Sequence, residues 1–531
     1  MGWRCERRGP GILPVEGERH RPRRGFRAWR RWTSPPQPGQ RGVGVGGCRA
    51  LRPVQGAGRA GSFRGAPPSP RLPGGGAAVG RVLLPSLSLL LACRTPAGVP
   101  EVQLEVTLSA RVPTTATVRW SGLREVDEAT LSVTVSDGES WEQDITRGDA
   151  TLWALPPDEE VTLVVTARSG GDSFTSEPVV VATRGPGGLL HTLEATGDTD
   201  RAFDGDLVVT TTVVSPPAAV VIDGRGRYRW WAESEGVEQL SRARLSRDGQ
   251  HILAMSVNLA GNETAGIRRF SLDGSLDDHV LVNGMHHDFV ELADGTLAAI
   301  VYSYKDIGHG MLMLGDRIVE VAPDGTETVI WDVWDWIDSE ESDEGLIGNN
   351  WSHANALDFD EATQQYTVSL LGLRALARID RATGELVWLM GTSQSDFAWP
   401  DGETTILERS HQFEYVDGGL LAFENGVASD RSSRAVEIAF DPDERLVEEA
   451  WSYTPDPTLY NCCLGDVERL PSGDTVVDFS TNGTIIQVDP GGTEVWRLSG
   501  EVGTAFGYMQ RIAPPGGPAA PEPAAGRMLG R

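Results

Sequence analysis

The sequence predicts an all-β molecule: a six-bladed β-propeller preceded by a small Ig/fibronectin-III-like β-sandwich. Three observations carry that expectation. Apolar and polar residues alternate in short runs from residue 101 onward, while helical patterns of useful length are scarce beyond a short one near Val333–Glu341. A turn glycine followed four residues later by tryptophan recurs as Gly226 with Trp230, Gly384 with Trp388 and Gly492 with Trp496. Looser copies end at Trp331 and Trp451, and another runs through Ile267–Leu272. Six units spaced roughly 40–60 residues apart, each with room for four short strands, are the pattern of blades that bury their faces on one another.

Composition bounds the function classes. The chain has 531 residues, of which 40% are hydrophobic and 23% charged, enough for two or three domains with packed cores. Charge is unevenly placed. Residues 1–100 carry 18 Arg and 3 Glu, which leaves 29 basic and 72 acidic residues for the rest, a net charge near −43. A body that acidic repels phosphate backbones, so nucleic acid is excluded as its partner. Five cysteines are too few for a disulfide scaffold and lack the paired CxxC spacing of a zinc site.

In chain order, residues 1–78 read as a basic, low-complexity extension outside the mature protein, with translation expected to start at or near Val79. Residues 79–93 follow with one positive charge, a short apolar run and Leu90-Leu91-Ala92-Cys93. That run is too short for a spanning helix and fits a lipoprotein-type signal peptide, with Cys93 as the lipidated residue. The expected product is an exported periplasmic or cell-envelope lipoprotein whose contact with membrane is its lipid anchor. Residues 101–185 are the sandwich, with Trp120 and Trp153 as large core anchors and no convergent polar cluster. Residues 200–512 are the propeller, and the Pro-, Ala- and Gly-rich residues 513–531 read as a disordered tail. Export leaves Cys462 and Cys463 as adjacent thiols in an oxidising compartment, either free or joined as a vicinal disulfide.

Two of nine histidines fall in equivalent register. His287 lies eight residues before Gly295, His411 eight before Gly419, and each is followed two residues later by Phe. In the last unit the same slot holds Gly465, eight before Gly473. His353 opens another strand in looser register. First strands of blades line a central channel, so three imidazoles at their starts converge on one mouth and form a candidate site. Each alone reads equally as a hydrogen-bonded structural histidine. Three imidazoles also suit zinc, but no carboxylate with suitable spacing accompanies all three, and no metal or cofactor is assigned. No GxxxxGK[ST] phosphate loop is present.

The order of motifs resembles the bacterial arylsulfotransferase family over roughly residues 200–512. The matching segments are Met285-His286-His287-Asp288-Phe289, Trp351-Ser352-His353-Ala354-Asn355-Ala356, Ile379-Asp380-Arg381-Ala382-Thr383-Gly384-Glu385-Leu386-Val387-Trp388, Ser410-His411-Gln412-Phe413 with Glu424-Asn425-Gly426, and Gly507-Tyr508-Met509-Gln510-Arg511-Ile512. The resemblance implies an exported six-bladed propeller with an accessory β domain. It also implies transfer of a sulfuryl group from an aryl sulfate ester to a phenol without a nucleotide donor. His411 matches the covalent nucleophile's motif, and His287 and His353 match the supporting histidines. The family's sulfate-binding arginine would fall near Leu371 or Gly372, and Arg374 is the nearest candidate. Asn355, His286, Trp351 and Tyr302 are expected around the substrate, with small phenols and aryl sulfate esters as partners. Two rival readings stay open: a propeller used for binding without catalysis, and a quinone-dependent dehydrogenase-like propeller, whose repeats Asp380-x-x-x-Gly384-x-x-x-Trp388 also resembles.

Overall fold

The computed structural model describes residues 101–213, 216–234, 238–258, 265–337, 350–426, 432–441 and 444–515. The expected extension, the signal segment with Cys93, and the tail from residue 516 lie outside the described residues. Among the described residues the chain is all-β, with helix limited to short 3-10 turns, one of them at Val333–Asp335 where the short helix is expected.

Residues 103–182 form two antiparallel sheets. One orders Gln103–Leu108, Ala116–Ser121 and Asp149–Leu152; the other orders Ser140–Asp144, Glu128–Val135, Glu160–Ser169 and Asp172–Thr175, with Val179–Ala182 also paired to Glu160–Ser169. Period-2 patterning explains them: along Glu160–Ser169 the apolar Val161, Leu163, Val165 and Ala167 are all buried and their polar neighbours are not. Trp120 anchors this core and donates its Nε1–H to the Ile145 carbonyl at 2.7 Å. Trp153 differs from expectation: it packs in a cluster with Val208, Val220 and Trp230 and so helps dock this region on the next. Arg229 completes that contact, with its Nε–H on the Ala154 carbonyl at 2.7 Å and its guanidinium on Glu139 and Asp223.

Six four-stranded antiparallel units follow, most of them simple meanders in chain order. Their first strands pack against one another along the series, for example Met285–Glu291 against Ala354–Asp360 and Ser410–Val416 against Asp466–Arg469. The first unit takes a fourth strand, Gln510–Ile512, from the far end of the chain, and the sixth takes an extra strand, Leu193–Gly197, from the near end. Sixth-unit residues Val476, Ile485 and Trp496 share one apolar cluster with first-unit residues Val208, Val220 and Trp230.

The glycine–tryptophan repeat has a local cause. In every unit the outer strand carries a β-bulge just past its turn, and the residue after the bulge is Trp230, Asp278, Trp331, Trp388, Trp451 or Trp496. A bulge adds one unpaired residue and sharpens the twist, which swings the next side chain toward the neighbouring unit. Four of the five tryptophans are at most 4% exposed.

Candidate active site

The first strands are bulged too, but unevenly. In the third unit Met285 pairs with Val301 and Phe289 with Ala299, so His286, His287 and Asp288 loop out of the ladder. In the fourth, Asn355 is the extra residue; in the fifth, His411 and Gln412 face one partner between Ser410–Glu424 and Phe413–Ala422. The sixth unit's Asp466–Arg469 pairs without a break. Left-handed backbone at non-glycine residues lies within or just before these four strands, bulged or not: φ is +63° at His287, +45° at His353, +58° at Arg409 and +60° at Leu464. Such conformations cost energy in an L-residue and persist where surrounding structure enforces them.

These distortions gather the histidines. His287 stands 5.0 Å from His353 and 6.3 Å from His411, ring centroid to centroid. All three line a cavity of about 310 Å³ with Arg409, Asn425 and the segment Cys462–Leu464.

Each ring's tautomer follows from its partners. The Asn425 amide donates from Nδ2 to the Asn461 and Leu464 carbonyls, both at 2.9 Å, so its Oδ1 faces His411 Nδ1. His411 Nδ1 therefore carries the proton and Nε2 the lone pair. Burial lowers the pKa of His411 to about 3, against the opposing effect of the Asn425 bond, so the ring is neutral at ordinary pH. Asn350 receives the His353 backbone N–H on Oδ1 at 3.2 Å and turns its Nδ2 to His353 Nδ1 at 3.3 Å. This assigns the proton of His353 to Nε2. Its pKa falls to about 4, chiefly by burial, with Asp316 opposing and Arg409 among the cations that push it down. His287 is held well below the ordinary histidine range, first by burial and then by the other imidazoles.

Behind His287 lies a chain of polar groups. His287 Nδ1 meets His286 Nδ1 at 2.7 Å, and His286 Nε2 lies 3.0 Å from Asp316 Oδ1. That contact is out of line for a full hydrogen bond, since neither atom finds one in the described structure. Burial alone would raise Asp316; contacts from His286, Ser352 and the Ala354 N–H outweigh it and hold the carboxyl below its usual range. Among the described residues, no group of three or more His, Cys, Asp or Glu is placed to hold a metal ion.

The other expected residues distribute as follows. Asn355 is buried and braces the fifth unit by donating to the Ser410 carbonyl at 3.4 Å, next to His411. His286 sits one layer behind the cavity, stacked on Tyr302 at 3.9 Å. Tyr302 is thus backing for the site instead of cavity wall. Trp351 is fully buried against Trp334 and belongs to the core. Arg374, left-handed at the end of a 3-10 turn, pairs with Glu408 at 3.2 Å and does not line the cavity. Among the described residues that line the cavity, the arginine is Arg409, two residues before His411. Sequence register misses it because it lies before the strand, where a left-handed turn sets its direction.

The family model described as Arylsulfotransferase (ASST) matches residues 192–503. The chain belongs to the arylsulfotransferase family. All three cavity histidines fall inside that match. No curated protein matches the chain significantly. Among solved structures, a Bacteroides caccae protein of unknown function is 11% identical, covering 58% of this chain and 99% of that one at a TM-score of 0.39. The Pseudomonas aeruginosa periplasmic gluconolactonase PpgL is 16% identical, covering 73% and 99% at a TM-score of 0.36. A streptogramin B lyase is 11% identical, covering 58% and 97% at 0.33. At these values none of them speaks to the chemistry of this arylsulfotransferase-family chain.

Proposed function

We propose that the chain moves a sulfuryl group from an aryl sulfate to a phenolic acceptor through a sulfo-histidine at His411. The observation that carries this reading is the amide clamp on His411: Asn425 Oδ1 accepts a hydrogen bond from the Nδ1–H and leaves Nε2 unprotonated on a ring that lines the cavity. A lone pair held that way at neutral pH is what a covalent nucleophile needs. Its attack on sulfur forms the N–S bond and breaks the S–O bond, and the phenolate leaves with the electron pair. A second phenol then attacks the sulfur, gives up its proton, and displaces His411.

Supporting groups follow from their chemistry. Arg409 supplies positive charge for the sulfuryl oxygens, and His353 offers its Nε2–H to them. An anionic substrate raises the pKa of nearby imidazoles, which lets His287 shuttle the phenol proton with His286 and Asp316 behind it. On the same reading the six units are blades of one closed propeller and residues 101–185 an Ig/fibronectin-III-like sandwich. Residues 79–93 then act as the export signal, and Cys93 anchors the mature protein by lipid in the periplasm or cell envelope.

The test is turnover of a chromogenic aryl sulfate with added phenol, comparing the native protein with His411→Ala. The expected loss is about a hundredfold or more. Mixing donor with native protein alone should add one sulfuryl group, mapped to the His411 peptide. Equal turnover in the two proteins removes the nucleophile assignment.

A further inference from the structure

The segment after Asn461 brings a second kind of chemistry to the same cavity. Cys462 and Cys463 are free, exposed and part of the cavity lining, with their sulfurs 2.9 Å apart. Their loop is held in place with unusual thoroughness. Asn461 is fully buried and its Nδ2 donates to the Cys463 carbonyl at 2.9 Å and the Leu464 carbonyl at 3.1 Å. Leu464 and Gly465 take left-handed backbone, and a Cβ on Gly465 would meet the Phe423 ring at 2.2 Å. The two carbonyls that bracket the cysteines, those of Asn461 and Leu464, are the same two that hold Asn425 and, through it, His411.

We propose that Cys462 and Cys463 form a thiol–disulfide exchange site in the cavity wall, which reacts with small-molecule disulfides and, on closing to a vicinal disulfide, turns sulfuryl transfer off. The regulatory half rests on the reading of His411 as the nucleophile.

The step balances. A thiolate at Cys462 attacks one sulfur of the incoming disulfide, giving a mixed disulfide and releasing one thiolate. Cys463, after losing its proton, attacks Cys462 Sγ and releases the second thiol. The protein loses two electrons and two protons, and the small disulfide becomes two thiols. The order follows from environment: although the residue is exposed, partial burial of its sulfur first, then the Cys462 sulfur, pushes the Cys463 thiol up to about 12. Capping Cys462 removes that second influence.

Ring closure reaches His411 for a geometric reason. Ordinary disulfides join Cα atoms about 4.4–6.8 Å apart. Neighbouring residues across a trans peptide are separated by only about 3.8 Å. The peptide between two bonded adjacent cysteines must therefore distort, and the flanking carbonyls shift with it. Asn425 then loses the two acceptors that aim its Oδ1, and His411 Nδ1 loses its partner.

The experiment treats the full chain with oxidised glutathione, then measures aryl sulfate turnover and maps peptides by mass. The native protein should yield a Cys462–Cys463 peptide two hydrogens lighter, with turnover down about tenfold or more and restored by dithiothreitol. In Cys462→Ser/Cys463→Ser the ratio of turnover before and after treatment should stay near one. Cys462→Ala gives the same ratio if the double variant does not fold. A peptide that keeps both hydrogens, or a mixed glutathione adduct alone, overturns the exchange site. A lighter peptide with unchanged turnover overturns the control of His411. If the reduced native protein turns nothing over, the failure lies with the nucleophile, and the peptide masses still decide the exchange chemistry.

Discussion

The outer and inner strands of the repeat use the same backbone irregularity for different ends. Outer-strand bulges occur in all six units at one position and mostly turn a tryptophan into the packing between units. Inner-strand bulges differ in size, deliver histidines in the third and fifth units, and are missing from the first and sixth. Uniform bulges support packing, where every interface has the same need. Irregular ones support a site, which occurs once and needs different atoms from each side.

The sharpest way to break this contrast is to remove an outer tryptophan. Trp496 is 1% exposed, stacks edge-on to Phe203 at 4.8 Å and donates to the Gly224 carbonyl at 2.8 Å. Trp496→Ala should cost about 3–5 kcal/mol of stability by denaturant unfolding. Turnover per folded molecule should change much less; a specific loss of turnover instead would erase the distinction between packing and catalytic bulges. Next in size is Asn425→Ala. Without the amide, His411 loses its preferred tautomer, at about 1–3 kcal/mol for an orphaned buried partner. That corresponds to a fall in kcat of roughly tenfold to a hundredfold.

A smaller effect separates two arginines. Arg409→Ala should raise KM for the aryl sulfate about tenfold, the scale of a lost charge-assisted bond. Arg374→Ala should leave KM within about twofold, because that guanidinium is spent on Glu408. The reverse ranking would restore Arg374 as the anion ligand.

The smallest effect is a displacement of the pH profile. An ordinary imidazole nucleophile loses activity below about 6.5. With His411 lowered to about 3, the acid limb of kcat/KM should fall near 3. Stability moves with His353 and His411. The unfolded chain takes up protons near 6.5 while these folded rings refuse them, so their contribution is full above that pH and is lost as pH falls through about 4 and then 3. An acid limb at 6.5 would mean that the rings are solvated.

Much of this was readable before the fold was known, and the parts that were not share a cause. Spacing to a turn glycine locates a residue along a strand, which is why His287 and His411 could be paired by register. It does not report direction. Tyr302 and Trp351 lie near the histidines in sequence pattern, yet one backs His286 and the other packs on Trp334. Arg409 and Leu464 reach the cavity through left-handed backbone, for which an arginine or a leucine carries no sequence mark. Asn425 could be seen in its motif, but its hold on His411 depends on two carbonyls about 40 residues further on.

Strand Gln510–Ile512 carries one more consequence, for the way the molecule is made. Leu207 waits for Ile512, so the first of the six units is the last to receive its final strand. At a synthesis rate of about 5–20 residues per second, the nascent chain spends on the order of 15 to 60 seconds with that edge unpaired. The waiting strand, Leu207–Thr212, is buried at every residue in the finished molecule. Until the ribosome delivers its partner, its edge at Leu207, Val208 and Val209 stays open, and shielding it from other chains is a task that falls to the cell.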